Sequence, residues 1–99
     1  MVSEIPGQGK VLGFYGHAKQ SMIHMEECAE LIQAISKMRR VRDAGLDDSE
    51  AYGNLVEEMA DVLICLEQIQ EMYEIPDHAI RGMIEKKCLR QEARMNEHV

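Results

Sequence analysis

The chain has no tryptophan, one phenylalanine and three tyrosines, so a large aromatic core is excluded. Its interior has to come from Leu, Ile, Val, Ala and eight methionines, a set that suits helix packing better than a β-sandwich. Proline is almost absent as well: Pro6 and Pro76 leave the whole middle of the chain uninterrupted. Cysteine occurs at Cys28, Cys65 and Cys88, an odd number with no Cys-x-x-Cys, which argues against a disulfide framework and fits a reducing compartment. The opening Met1-Val2-Ser3-Glu4-Ile5-Pro6 has no apolar stretch, so no signal peptide is expected. The longest apolar run, Val62 to Leu66, is far too short to span a bilayer. Positive charge is scarce: 11 basic against 18 acidic residues give a net charge of −7. That balance disfavours nucleic acid and anionic membrane as partners and favours cations. The expectation is a cytoplasmic protein.

A length of 99 residues is one domain, marginal in stability as a monomer. Residues 1–13 hold Pro6, Gly7, Gly9 and Gly13 without any period and read as a flexible N-terminal arm, leaving 14–99 as a single helical domain. Gly9-Lys10 is not a phosphate loop, because Glu4 and Val11 stand where that motif needs Gly and Ser or Thr. Helical spacing predicts a first helix from Tyr15 to Arg42, with Ile23, Leu31, Ile35 and Met38 on one stripe and Cys28 and Ile32 widening it. Gly45 is the expected stop, and Asp47, Asp48 or Ser49 the N-cap of a second helix to Tyr73. Pro76 then opens a third helix to about Asn96. The fold class is all-α: a helical bundle of three main helices. Between Val62 and Leu66 the second helix is apolar on every side, more than three helices can cover. Oligomerisation, as a dimer or tetramer, is expected to complete a four-helix-bundle-like core at a subunit interface.

What is abundant is acid in a pattern. The pentad Glu-Glu-x-Ala-acid occurs twice, as Glu26-Glu27-Cys28-Ala29-Glu30 and Glu57-Glu58-Met59-Ala60-Asp61. On helices, Glu27 and Glu30 share one face, and so do Glu58 and Asp61. Two such helices side by side gather these carboxylates around one spot, with Ala29 and Ala60 expected to let the backbones approach. Like charges about 4 Å apart repel by about 4 kcal/mol at an effective dielectric near 20. A cation relieves that repulsion. Oxygen ligands without Cys or His suit hard cations, Mg²⁺ first and Mn²⁺ second. A solvated acidic face explains one Glu-Glu pair in so acidic a chain, but not the same pentad twice beside an apolar stripe. On the third helix, Lys87, Arg90 and Arg94 share a face suited to phosphate. Alone, those cations would be explained by the helix dipole and by Glu85 and Glu92.

The run Glu-Glu-x-x-Glu, a gap, then Glu-x-x-Asp resembles the MazG-like nucleotide pyrophosphohydrolases of the all-α NTP pyrophosphatase superfamily. Lys87-x-x-Arg90-Gln91-x-x-Arg94 resembles the family's Lys-x-x-Arg-Asn-x-x-Arg, with Gln91 where the family has Asn. The resemblance covers roughly residues 16 to 95. It implies that Glu27, Glu30, Glu58 and Asp61 are Mg²⁺ ligands, and that Glu26 and Glu57 are flanking catalytic acids that bind a second metal or orient the attacking water. It implies phosphate contacts from Lys87, Arg90, Gln91 and Arg94, and a nucleobase near Gln20 or His24. The implied reaction converts a nucleoside triphosphate and water to a monophosphate and pyrophosphate, as in nucleotide-pool house-cleaning. A carboxylate-bridged di-iron bundle needs Glu-x-x-His, which the chain lacks. The alternative from another class is a non-catalytic helical regulatory or interaction dimer of the same fold.

Overall fold

The computed structural model describes residues 13–98. Most of the segment expected to be an arm therefore lies outside the described residues. Three long helices follow one another: α1 (His17–Asp43), α2 (Ser49–Met72) and α3 (Asp77–Glu97). No strand occurs among the described residues, so the chain is all-α. The helix bounds fall close to the expected ones. The expected start at Tyr15 fails because Gly16, at φ +85°, interrupts the helical path between residues 13–15 and α1.

Each junction has a readable cause. Gly45 sits at φ +70° after α1. The Leu46 N–H donates to the Val41 carbonyl at 3.1 Å and the Gly45 N–H to the Arg42 carbonyl at 3.0 Å. This pairing satisfies carbonyls that the helix end leaves open. Asp48 is the N-cap of α2, but its side chain accepts from Arg42 Nε at 2.8 Å instead of capping. Asp47 does the local work, accepting from the Ser49 N–H at 3.3 Å and Ser49 Oγ at 2.8 Å. The end of α2 repeats the end of α1 with a less suitable residue. Glu74 adopts φ 53°, and the Ile75 N–H reaches the Gln70 carbonyl at 3.0 Å. Pro76 then prevents continuation, and Gln70 Nε2 donates to Asp77 Oδ1 at 2.6 Å across the turn.

The short 44–48 connection folds α2 back along α1, and this antiparallel pair is the extensive helix packing among the described residues. Among the described residues the buried side chains are all small or polar: Ala34, Ala51, Cys65, Gln20, His24 and Gln68. No large side chain among the described residues is fully buried. Helix α3 buries no residue at all. The radius of gyration is 16.9 Å, where a compact chain of this length has about 13 Å. Large apolar groups face outward, with Ile32 at 68 % exposure, Leu63 at 47 % and Leu66 at 42 %. One chain thus supplies a helix–helix seam but not a closed core.

Candidate metal centre

The seam of α1 consists of Gln20, His24, Glu27, Leu31, Ala34 and Met38, spaced alternately by four and three residues. This is the spacing that keeps one stripe against a neighbouring helix. The stripe is rotated from the expected one toward the acids, and Ile32 and Ile35 are left outside. Opposite it, α2 presents Ala51, Leu55, Glu58, Val62, Cys65 and Gln68, with Asp61 beside them. The close-packed small residues are Ala34 and Ala51, not Ala29 and Ala60, which are exposed. The pentad alanines sit one or two positions away from the seam stripe, so they flank the carboxylates without packing beneath them.

Between the ends of the seam lies the acidic layer. Glu27, Glu58 and Asp61 each place a carboxylate oxygen within 4.8 Å of the others. Glu27 Oε2 and Glu58 Oε2 are enclosed and have no hydrogen-bond partner. Enclosure and the charges of Glu30, Asp61 and Glu58 raise the Glu27 carboxyl above its ordinary value. Enclosure, then Glu30 and Asp61, do the same to Glu58. Glu58 is only half-buried as a residue, yet its Oε2 is shut off, and that atom is what a ligand would satisfy. Cys65 lies beneath the acids, and burial followed by the Glu27 charge pushes its thiol up to about 11. A thiol held protonated in this way is a packing group, not a nucleophile.

One layer along, Gln68 Oε1 accepts from Gln20 Nε2 at 2.9 Å and lies 2.7 Å from His24 Nε2. With that oxygen as acceptor, His24 presents Nε2–H. Gln20 Oε1 is buried without a hydrogen-bond partner. Gln20 and His24, expected near a nucleobase, are thus nearly closed over by Gln68, a residue the sequence reading missed. Its signal was available: Gln68 follows Asp61 by seven residues, a repeat of the seam spacing.

Glu30 is exposed but close enough to perturb both Glu27 and Glu58. Glu26 and Glu57 are exposed on the outer sides of their helices. Lys87, Arg90, Gln91 and Arg94 are exposed on α3, which does not pack extensively on the pair. A single chain therefore does not bring them to the acids.

Fold and site together define an all-α protein whose antiparallel helices carry an oxygen-only cluster of the kind that holds a hard divalent cation. Enclosed carboxylate oxygens without a hydrogen-bond partner among the described residues fit such an ion. The MazG nucleotide pyrophosphohydrolase domain matches residues 16–95, and the chain belongs to that family. Neither curated proteins nor solved structures yield a match. No helix among the described residues is long and apolar enough to cross a membrane.

Proposed function

We propose that the protein hydrolyses nucleoside triphosphates to monophosphate and pyrophosphate, with Mg²⁺ held by Glu27, Glu30, Glu58 and Asp61. The observation that supports this most is the convergence of Glu27, Glu58 and Asp61 within 4.8 Å, with two enclosed oxygens unpartnered. Mg²⁺ bound there supplies charge neutralisation for a phosphate chain and makes a nearby water more acidic. The chain's own groups do the rest. Glu27 and Glu58 are fixed by the seam, so their oxygens are held apart from bulk water before substrate arrives. Glu26 and Glu57 remain free of the seam, and one of them accepts the proton of the attacking water. The water oxygen bonds to one phosphorus of the α–β bridge as that phosphorus loses its bond to the bridging oxygen, which stays with the other phosphate, and monophosphate and pyrophosphate separate.

In this reading Lys87, Arg90, Gln91 and Arg94 come to the phosphates from a second copy of the chain. The outward apolar faces of α1, α2 and α3 are what that copy covers, closing a four-helix core in a homo-oligomer. Gln20 and His24 mark the end of the site nearest the nucleobase. Incubation with Mg²⁺ and each ribo- and deoxynucleoside triphosphate, with pyrophosphate release as the readout, tests the reading. Turnover of at least one nucleotide supports it. No release from any nucleotide removes the enzyme reading and leaves a helical interaction protein of the same fold.

A further inference from the structure

Beside the acidic cluster runs a groove of about 720 Å³, within the range of small-molecule sites. Glu30 and Glu58 line it, and so do Lys37, Arg40 and Asn54. Acids and cations therefore line one groove, with Lys37 and Arg40 further along α1 than Glu30. Lys37 lies roughly 10 Å along the axis from Glu30 and Arg40 roughly 15 Å, at about 1.5 Å per residue. Side chains on a helix lean toward its N-terminus, so both cations lean back toward the carboxylates.

The two other basic residues at this end of α1 are already paired with acids. Arg39 pairs with Asp43 at 3.7 Å, and Arg42 with Asp48 at 2.8 Å. Lys37 and Arg40 have no ion pair among the described residues, although the chain carries net charge −7. Two unneutralised cations in one groove with a cation-seeking cluster match a ligand that is itself divided. A divalent cation sits at one end and anionic oxygens at the other, which is the charge pattern of a metal–polyphosphate.

We propose that this groove takes the pyrophosphate end of the substrate, with Lys37 and Arg40 as phosphate contacts supplied by the same chain as the carboxylates. The inference rests on the reading given under Proposed function and adds to it the direction in which the substrate lies. The leaving group points along α1 toward its C-terminal end. The monophosphate and nucleoside point the other way, toward the Gln20–His24–Gln68 layer. Arg40 suits the terminal phosphate because its planar guanidinium can make two parallel hydrogen bonds. Asn54, on the opposite wall, adds an amide donor from α2.

The test uses the double variant Lys37→Met/Arg40→Met, which keeps helix-forming, unbranched side chains. Product inhibition is measured with Mg²⁺ plus inorganic pyrophosphate, and separately with the nucleoside monophosphate. The proposal expects weakening of pyrophosphate inhibition by about tenfold or more, the scale of losing a charged contact. The KM for the triphosphate rises with it, while monophosphate inhibition changes by less than about twofold. Lys37→Arg with Arg40 retained keeps most of the pyrophosphate affinity. Unchanged pyrophosphate inhibition in the Met variant overturns the proposal. Absence of turnover in the wild type counts against the pyrophosphohydrolase reading instead. In that case direct calorimetric binding of magnesium pyrophosphate to wild type and variant still decides the groove, equal affinities overturning it.

Discussion

Helices α1 and α2 bury polar groups, and α3 buries nothing. In the paired helices the side chains under about a twentieth exposed are Ala, Cys, Gln and His. Many of their large apolar residues, among them Ile32, Ile35, Leu63 and Leu66, stay outside like Met83, Ile84 and Leu89 of α3. Ordinary domains do the reverse. The difference teaches that the pair is arranged around a polar site at some cost in self-sufficiency, and that α3 leaves its apolar and basic groups uncovered within the single chain. Stability and chemistry are therefore separable by mutation in this protein.

The largest expected effect comes from the acids. Glu58→Gln lowers turnover by about 10³-fold or more, corresponding to about 4 kcal/mol of barrier. The same change raises the metal-free melting temperature, because a carboxylate held near other carboxylates is neutralised. A lower metal-free melting temperature in both Glu58→Gln and Asp61→Asn contradicts the clustered-carboxylate account. Next comes the polar layer. Gln68→Leu deprives Gln20 Nε2 and His24 Nε2 of their acceptor, at a cost of about 2–3 kcal/mol in chemical denaturation. The contrasting change Glu92→Ala on exposed α3 costs less than about 0.5 kcal/mol. Equal costs would erase the distinction between the two regions. Lys87→Ala is expected to weaken nucleotide binding about tenfold while leaving metal binding alone. Equal nucleotide affinity in that variant returns Lys87 to a solvated surface role.

Proton linkage sharpens the same contrast. Glu27 and Glu58 ionise above 4.5 in the folded chain, so their ionisation opposes folding. Their favourable contribution is complete below about pH 4.5 and is lost as pH rises through the raised values. With a chelator present, Glu27→Gln/Glu58→Gln should match the wild type near pH 4 and exceed it increasingly toward pH 7. A constant gap across that range contradicts the assignment. The smallest effect concerns the two helix ends. Glu74→Gly should stabilise the end of α2 by about 0.5–1 kcal/mol, because glycine tolerates the left-handed conformation. Gly45→Ala at the matching end of α1 should destabilise by a similar amount. Thermal unfolding of both variants reads the sign.

The three helices were legible in the sequence because Gly45 and Pro76 punctuate strong helical spacing. The acidic cluster was legible because one pentad recurs with the same offset from an apolar stripe. The exact seam was not. Counting only apolar residues placed Ile35 inside, whereas the helices pack through Glu27, His24 and Gln20, which no hydrophobic count selects. Gln68 was overlooked for the same reason: a lone Gln among Leu66 and Ile69 looks like surface until its partners on α1 are in place. Ala29 and Ala60 misled because small size alone does not show which way a residue faces. Lys37 and Arg40 were hidden among four basic residues, and only the groove they share with Glu30 and Glu58 sets them apart.

The central claim is that the α1–α2 seam holds a divalent cation. Electron paramagnetic resonance of Mn²⁺ titrated into nucleotide-free protein tests it most directly. The account predicts Mn²⁺ binding by the wild type, displacement by excess Mg²⁺, and loss of binding in both Glu27→Gln and Asp61→Asn. Mn²⁺ binding of equal strength in wild type and both variants would contradict it.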